Sequence, residues 1–202
     1  ASAVVTDPPY GLKDHPMLDL PGRGGRGNNT YHPPSDWDAA IDPAWAAECC
    51  RVAPLVVWFG HWRKRAEVEA AMPHPIRCEI VWVKDTHVGP PCPVAMQDER
   101  IWVFSESGIT AREFATSVWP VPIIPTWAHR HHKNEKPVDL MRKAIRTFTD
   151  HGAYVVDPFC GGGTTLDVAR SLERRALGYD LQPQRPDIFR ADARKLAALR
   201  AA

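Results

Sequence analysis

The stretch Asp157-Pro158-Phe159-Cys160-Gly161-Gly162-Gly163-Thr164-Thr165 joins a predicted strand to a predicted helix. Residues 153–156 before it are apolar and partly β-branched, which is typical of a buried strand. The residues after it place apolar side chains at the spacing of one helix face: Leu166, Val168, Ala169 and Leu172. Three successive glycines let a backbone bend sharply and let a ligand approach it closely, and amides at the helix start would face that ligand. The stretch therefore predicts a cofactor-binding turn at the carboxyl end of a parallel strand.

Strands and helices alternate on both sides of this turn. Strands are predicted at 3–6, 55–59, 77–84, 100–104, 153–156, 176–180 and 187–190, and helices at 42–52, 61–71, 135–148, 166–172 and 192–201. This alternation predicts an α/β fold with a mostly parallel sheet and helices on both faces. Because no helix separates the strands at 77–84 and 100–104, we expect these two to form an antiparallel hairpin at one edge.

The composition is that of a single globular domain over residues 1–202. The hydrophobic fraction of 44% and charged fraction of 24% are ordinary, and no apolar run has the length of a membrane span, so no membrane partner is expected. The five cysteines lack metal-ligand spacing, which suggests free thiols in a reducing cytoplasm. Since the net charge is only +1, any attraction to nucleic acid must be local.

Two long segments have the composition of loops. Residues 11–42 contain the Gly-, Arg- and Asn-rich run 21–29, which cannot pack a core and is expected to be mobile. A loop of this length is either a tolerated surface segment or a functional one. Residues 106–130 are irregular and proline-containing, and we interpret them as a short insertion.

A second motif, Asp7-Pro8-Pro9-Tyr10, follows the first predicted strand. Together with 157–165 it resembles the S-adenosylmethionine-dependent amino-methyltransferases that modify exocyclic amines of DNA bases. Residues 132–137 are similar to the segment that precedes the cofactor motif in that family, and Asp180 and Asp192 match its later acidic positions. A catalytic motif that comes before the cofactor motif is the order of the β class of these enzymes.

The resemblance implies a Rossmann-like sheet of seven strands in the order 3-2-1-4-5-7-6, S-adenosyl-L-methionine as cofactor and DNA as partner. The sequence departs from the family pattern at Gly162, where serine is usual. It also departs at 191–194, an aspartate-containing segment that many family members carry before the catalytic motif and that here comes after it. The recognition region before His132 is short, and each good bidentate base contact gives only about 1–3 kcal/mol of discrimination. We therefore expect a short or relaxed target, unless a second subunit, in a homodimer or with another protein, adds contacts.

The catalytic residues that the resemblance implies are Asp7, Pro8, Pro9 and Tyr10. An exocyclic amine is a poor nucleophile because its lone pair is delocalised into the base. The Asp7 carboxylate and the Pro8 carbonyl can accept the amine hydrogens, and Tyr10 can stack on a base that has left the duplex. Asp7 favours adenine N6 over cytosine N4, because cytosine-N4 enzymes more often have serine there. Methylation of RNA or protein, where asparagine is usual, and a role as an inactive DNA-binding subunit stay open at this point.

The implied cofactor residues form a larger set, in which several have a second interpretation. Asp180 follows Gly163 at a spacing close to that of an acid that binds ribose hydroxyls, although an N-cap or surface acid would look the same. Asp192 is equally an N-cap, and Lys133 and Glu135 are equally solvated capping charges. The full set is Asp7, Lys133, Asn134, Glu135, Asp157, Pro158, Phe159, Cys160, Gly161, Gly163, Thr164, Thr165, Asp180, Leu181 and Asp192.

Basic side chains are the candidates for contact with DNA phosphates. They are Arg23, Arg26, Arg63, Arg130, His132 and Lys133. A solvated basic surface would have the same composition. The histidines at 129, 131 and 132 have no cysteine or carboxylate nearby to complete a metal site, so no metal is predicted. Cys160 is interpreted as a packing residue of the turn rather than as a nucleophile.

Overall fold

The computed structural model describes residues 1–11, 41–86, 96–124 and 135–181, which form a single seven-stranded sheet with helices on both faces. The strands are β1 (Ala3–Thr6), β2 (Leu55–Gly60), β3 (Ile76–Val83), β4 (Asp98–Ser105), β5 (Val118–Pro120), β6 (Tyr154–Asp157) and β7 (Arg175–Gly178). The helices are α1 (Pro43–Val52), α2 (Arg65–Ala71), α3 (Val138–Phe148) and α4 (Thr164–Ser171), and a 3-10 turn at Trp62–Lys64 precedes α2. The predicted α/β fold is confirmed.

The sheet has the order β5-β3-β4-β2-β1-β6-β7. Strand β1 is parallel to β2 and β6, while β4 is antiparallel to both β2 and β3. Strand 1 of the expected order corresponds to β6, the strand that ends at Asp157. Read from β7, the sheet runs β7-β6-β1-β2-β4-β3, which matches the 2-1-4-5-7-6 part of the expected order. The strand and helix predicted at 187–190 and 192–201, like the loop residues 12–40, lie outside the described residues.

The predicted hairpin of β3 and β4 is present, but it is not at the outer edge, because β5 pairs with β3 beyond it. The sequence gives no sign of β5, whose three residues lie in the segment interpreted as irregular. Only Trp119 of β5 is buried, so there is too little alternation to detect. Pro120 is tolerated because an edge strand needs no ladder donor on its outer side.

The core lies in two layers, one on each face of the sheet. Alternate residues of a strand point to opposite faces, so Val5 joins the layer under α3 and α4 while Val4 joins the layer under α1 and α2. The apolar stripe predicted for α3 is buried at every position: Leu140, Met141, Ala144, Ile145 and Phe148. Within the four described segments, no helix is long and apolar enough to cross a bilayer.

Candidate active site

The two motifs meet because the strands that carry them are neighbours. Asp7 follows the end of β1 and Asp157 ends β6, and the two strands pair in parallel with Val4 opposite Val156. The hydroxyl of Thr6 donates to Asp157 Oδ1 at 2.7 Å, which ties the two strand ends together across the ladder. Carboxyl ends of adjacent parallel strands form the crevice where ligands bind in such sheets. The structure thus brings the predicted catalytic motif and the predicted cofactor turn together at the carboxyl ends of β1 and β6.

Asp157 is a buried carboxyl that organises the turn after β6. It accepts hydrogen bonds from the Thr6 hydroxyl and from the Phe159 amide at 3.1 Å. Burial raises the pKa of Asp157 to about 6, although hydrogen bonds from Thr165 and Thr6 oppose this rise. Because its oxygens bind groups of the protein, Asp157 fixes the path of the turn.

The turn needs glycine at two of its three glycine positions. Gly161 and Gly163 have φ values of +47° and +85°, a conformation that other residues rarely adopt. Gly163 is the N-cap of α4, so the first amides of that helix point toward the crevice. The Thr164 hydroxyl donates to Glu135 Oε1 at 2.7 Å, which brings Glu135 to the same turn.

The remaining described cofactor candidates surround the turn. Asp180, beyond the end of β7, accepts a hydrogen bond from the Gly161 amide at 2.9 Å through Oδ2. The ring of Phe159 contacts Trp45 edge to face with centroids 5.0 Å apart, and the Leu181 side chain is almost fully exposed. Pro158 is half-buried in the turn. Asp180 therefore braces the turn while it lies at the carboxyl end of the strand beside β6.

Cys160 is a packing residue, as expected. A Cβ placed on Gly178 would lie 2.8 Å from its sulfur, so the thiol fills the space beside β7. Burial raises the pKa of Cys160 far above the ordinary thiol range, and Asp157 and Asp180 raise it further. Such a thiol carries no nucleophilic thiolate near neutral pH.

Asp7 belongs to a buried cluster of charged residues. Tyr10 Oη lies 2.9 Å from Asp7 Oδ1, and Lys136 Nζ donates to Asp7 Oδ2 at 2.7 Å. Tyr10 Oη also lies 2.7 Å from Glu99 Oε2, and Lys84 Nζ donates to Glu99 Oε1 at 2.6 Å. Between 8% and 22% of each charged side chain is exposed, so these groups interact at low dielectric.

The electrostatics of this cluster differ between its two carboxyls. Burial raises the pKa of Asp7, Lys136 lowers it and Glu99 raises it, with a net rise. Burial would also raise the pKa of Glu99, but Lys136 and Lys84 lower it to about 2. For Lys136, burial would lower the pKa, but Asp7 and Glu99 raise it above its ordinary value. Glu99 and Lys136 are therefore firmly ionised at neutral pH, whereas Asp7 binds a proton more readily than an ordinary aspartate.

Three members of this cluster are absent from the residues predicted by sequence. Lys136 lies in the segment 132–137, so that resemblance could have pointed to it. Glu99 lies on β4 and Lys84 just after β3, and both are far from either motif in the sequence. Only the strand order of the folded sheet places them beside Asp7, and no local pattern reports that order.

The basic candidates are described only in part. Arg63 lies in the 3-10 turn after β2, and its guanidinium carbon is 5.0 Å from the centroid of the Trp62 ring, which is 42% exposed. Because β2 is parallel to β1, this turn is at the same edge of the sheet as Asp7. The other basic candidates lie outside the described residues: Arg23, Arg26, Arg130, His132 and Lys133. The cofactor candidates Asn134 and Asp192 also lie outside them.

No metal site is found in the part of the chain that the structure describes. No group of three His, Cys, Asp or Glu side chains there is arranged to hold an ion. The histidines at 129, 131 and 132 are not among the described residues. The four described cysteines, Cys49, Cys50, Cys78 and Cys160, are free thiols.

A similar protein aligns over most of its length. YubD of Escherichia coli (strain K12), which is named as a methylase, is 30% identical to the chain over 208 aligned residues. The alignment covers 98% of this chain and 83% of YubD.

Two solved structures share the fold at lower identity. The M1.HpyAVI–SAM complex is 18% identical with a TM-score of 0.64, and the match covers 95% of this chain and 88% of that one. The PvuII DNA methyltransferase, which is cytosine-N4-specific, is 16% identical with a TM-score of 0.63 and coverages of 95% and 78%. The DNA methylase family (N6_N4_Mtase) matches residues 1–190. Because this match spans both motifs and the sheet that brings them together, the chain belongs to the DNA methylase family.

Proposed function

We propose that the protein transfers a methyl group from S-adenosylmethionine to the N6 amine of a flipped adenine in DNA, at a short or relaxed target site. The observation that supports this proposal is the parallel pairing of β1 and β6. It places Asp7, which follows β1, next to the glycine turn, which follows β6. Methyl donor and acceptor amine would then lie side by side. Catalysis in such a site consists mainly of positioning and electrostatic stabilisation.

The described residues around the turn fit the cofactor. The turn at Gly161 and Gly163 presents backbone without side chains, and the start of α4 offers amides. Asp180 would accept hydrogen bonds from ribose hydroxyls, and Glu135 lies within reach of the turn through Thr164. S-adenosylmethionine supplies an electrophilic methyl group when it is bound. Lys133, Asn134 and Asp192 remain proposed contacts on the basis of the resemblance.

Asp7 would act on the amine of the substrate. Its carboxylate can accept an amine hydrogen, and the Pro8 carbonyl, held by the neighbouring rings of the motif, can accept the other. The Tyr10 ring is half-buried beside Asp7 and would hold the flipped base. Lys136 donates to one Asp7 oxygen, so the carboxylate is held in place before substrate arrives.

DNA would approach the edge that carries both motifs. Arg63 and the exposed Trp62 ring lie there and offer a charge for phosphate and a face for stacking. We include in this surface the loop 11–42, which would order over the flipped base, and the insertion 106–130. A homodimer or a partner subunit would lengthen the target by adding base contacts. A cytoplasmic location accords with the free thiols.

The experiment that tests this function identifies the methylated product. Purified protein is incubated with unmethylated DNA and labelled S-adenosylmethionine, and the DNA is digested to nucleosides for mass spectrometry. N6-methyladenine is expected. N4-methylcytosine would establish the second candidate, which is the specificity of the PvuII enzyme that shares the fold. Label found only in parallel incubations with RNA or protein, or in none of the three, would overturn the proposal.

Asp180→Ala is expected to weaken S-adenosylmethionine binding by about 1.5–3 kcal/mol, because hydrogen bonds to a charged acceptor are lost. Calorimetric titration measures the change in Kd. Asp180→Asn keeps an oxygen for the Gly161 amide without the charge, so it separates damage to the turn from loss of ribose contact. Asp167→Ala, an exposed acid of α4, is the control. An unchanged Kd in Asp180→Ala would move the ribose role to another residue.

A further inference from the structure

The Tyr10 hydroxyl lies between two carboxylates but has only one hydrogen to donate. Its oxygen is 2.9 Å from Asp7 Oδ1 and 2.7 Å from Glu99 Oε2. A phenol has a single O–H donor, and an ionised carboxylate can only accept. If both carboxylates are ionised, one of these two short contacts therefore sets oxygen lone pairs against each other.

Glu99 is the carboxylate that accepts the hydrogen bond from the Tyr10 hydroxyl. Lys84 Nζ lies 2.6 Å from Glu99 Oε1 and Lys136 Nζ lies 3.4 Å from Glu99 Oε2, so two ammonium groups keep Glu99 ionised. Its contact with Tyr10 is also the shorter of the two. The Tyr10 hydrogen accordingly points toward Glu99, and the lone pairs of its oxygen face Asp7.

We propose that Glu99 is a positioning residue for methyl transfer, which holds the hydrogen of Tyr10 and so makes the Tyr10 oxygen an acceptor for a proton on Asp7. This inference deepens the proposed function and rests on it. Glu99 itself touches neither substrate nor cofactor in this scheme. It acts through Tyr10, and it favours the form of Asp7 that carries a proton.

The proton concerned is the one that the reaction releases. As the amine nitrogen bonds to the methyl carbon, the carbon–sulfur bond breaks and its electron pair stays on sulfur. The nitrogen then bears a positive charge and must lose one hydrogen as a proton. Asp7 takes that proton and the N–H electron pair returns to nitrogen. The new O–H of Asp7 donates to the Tyr10 oxygen, while the O–H of Tyr10 continues to donate to Glu99, until the proton passes to water.

The other groups that face Asp7 set the balance. Among the described residues, Lys136, just before α3, contacts the second Asp7 oxygen and opposes protonation. Glu99 of β4 brings negative charge and favours protonation of Asp7. Asp157 of β6 is affected in the opposite sense, because the charge of Asp7 raises the pKa of Asp157. Lys84, which follows β3, forms an ion pair with Glu99 and not with Asp7. Lys136 thus keeps Asp7 ionised, and the Tyr10 oxygen can accept a hydrogen bond from Asp7 once Asp7 is protonated.

The test measures the pKa of Asp7 directly, by carbon-13 NMR titration of the cofactor-free full chain with labelled aspartate carboxyls. The Asp7 signal is the one missing from Asp7→Asn. Tyr10→Phe keeps the ring and removes the oxygen, so a protonated Asp7 loses its acceptor and its pKa should fall by roughly one unit. Glu99→Gln should also lower it, because a negative charge is removed. Glu79→Gln, a carboxylate of β3 paired with Arg65, is the control and should leave it unchanged.

The sign of the Tyr10→Phe shift decides the matter. If Tyr10 instead donates to Asp7, removal of its oxygen raises the pKa of Asp7, and a rise or no change overturns the proposal even where Glu99→Gln fails to fold. The acid limb of the single-turnover rate against pH should move to lower pH in Glu99→Gln, a shift that a merely structural defect would not cause. A wild-type protein that methylates no DNA would overturn the proposed function instead, while the NMR titration still upholds or overturns the orientation of Tyr10.

Discussion

Asp7→Ala is expected to reduce methyl transfer by about 10²–10⁴-fold, the range for loss of a proton-transfer group, while the Kd for S-adenosylmethionine stays within a few-fold. The reason is positional, because Asp7 follows β1 whereas the cofactor turn follows β6. Single-turnover methylation and calorimetric titration on one preparation measure both quantities. Near-normal turnover in this variant would remove Asp7 from the chemistry.

Folding of Asp7→Ala should survive, because Lys136 keeps Glu99 as a partner at 3.4 Å. Asp7→Asn separates the two roles of the carboxylate, since an amide oxygen can accept an amine hydrogen but cannot take up a proton near neutral pH. We expect its activity to fall nearly as far as that of Asp7→Ala. Asp139→Ala, an exposed acid paired with Arg142 on α3, is the matched control and should retain full activity.

Lys136→Met is expected to lower the free energy of unfolding by about 3–5 kcal/mol at neutral pH, as removal of one partner from a buried ion pair does. Lys136 is 12% exposed and is the ammonium that contacts both Asp7 and Glu99. Methionine fills a similar volume without charge and leaves the two carboxylates less compensated. Denaturant unfolding of the variant and the wild type measures the difference.

The pH dependence of this deficit has a definite sign. In the folded protein the pKa of Glu99 is lowered from 4.5 to about 2, so the stabilisation from its ionised form is complete above pH 4.5 and is lost as the pH falls toward 2. The deficit of Lys136→Met should therefore shrink over that range. Lys143→Met, a lysine of α3 above the Trp119 ring, should cost about 1 kcal/mol or less. Equal losses in the two variants would contradict the account of the buried cluster.

Sequence reasoning succeeded where the information was local. The strand before Asp157, the glycine turn and the stripe of α3 each appear within a dozen residues, and all three are present in the structure. The resemblance added the meeting of the two motifs, since it supplied a strand order that spacing alone does not contain.

Sequence reasoning failed where a contact joins residues that are far apart in the sequence. Glu99 approaches Tyr10 across 89 residues of sequence, and nothing around Glu99 distinguishes it from a solvated strand residue. The strand β5 was missed because three residues with one buried side chain show no period. The split of the predicted helix 61–71 at the 3-10 turn was missed because His61 caps that turn through its ring nitrogen, which composition does not reveal.

The interior position of β1 in the sheet bears on how the chain folds during synthesis. One edge of β1 pairs with β2, but the other awaits β6, and the bond from Thr6 to Asp157 joins residues 151 positions apart. At about 5–20 residues per second on a ribosome, β6 follows β2 by several seconds. During that interval an apolar strand of the future core has an open row of amides and carbonyls, which can pair with another nascent chain. Changes that weaken the β1–β6 junction should therefore first lower the yield of soluble protein, before they alter the stability of the molecules that do fold.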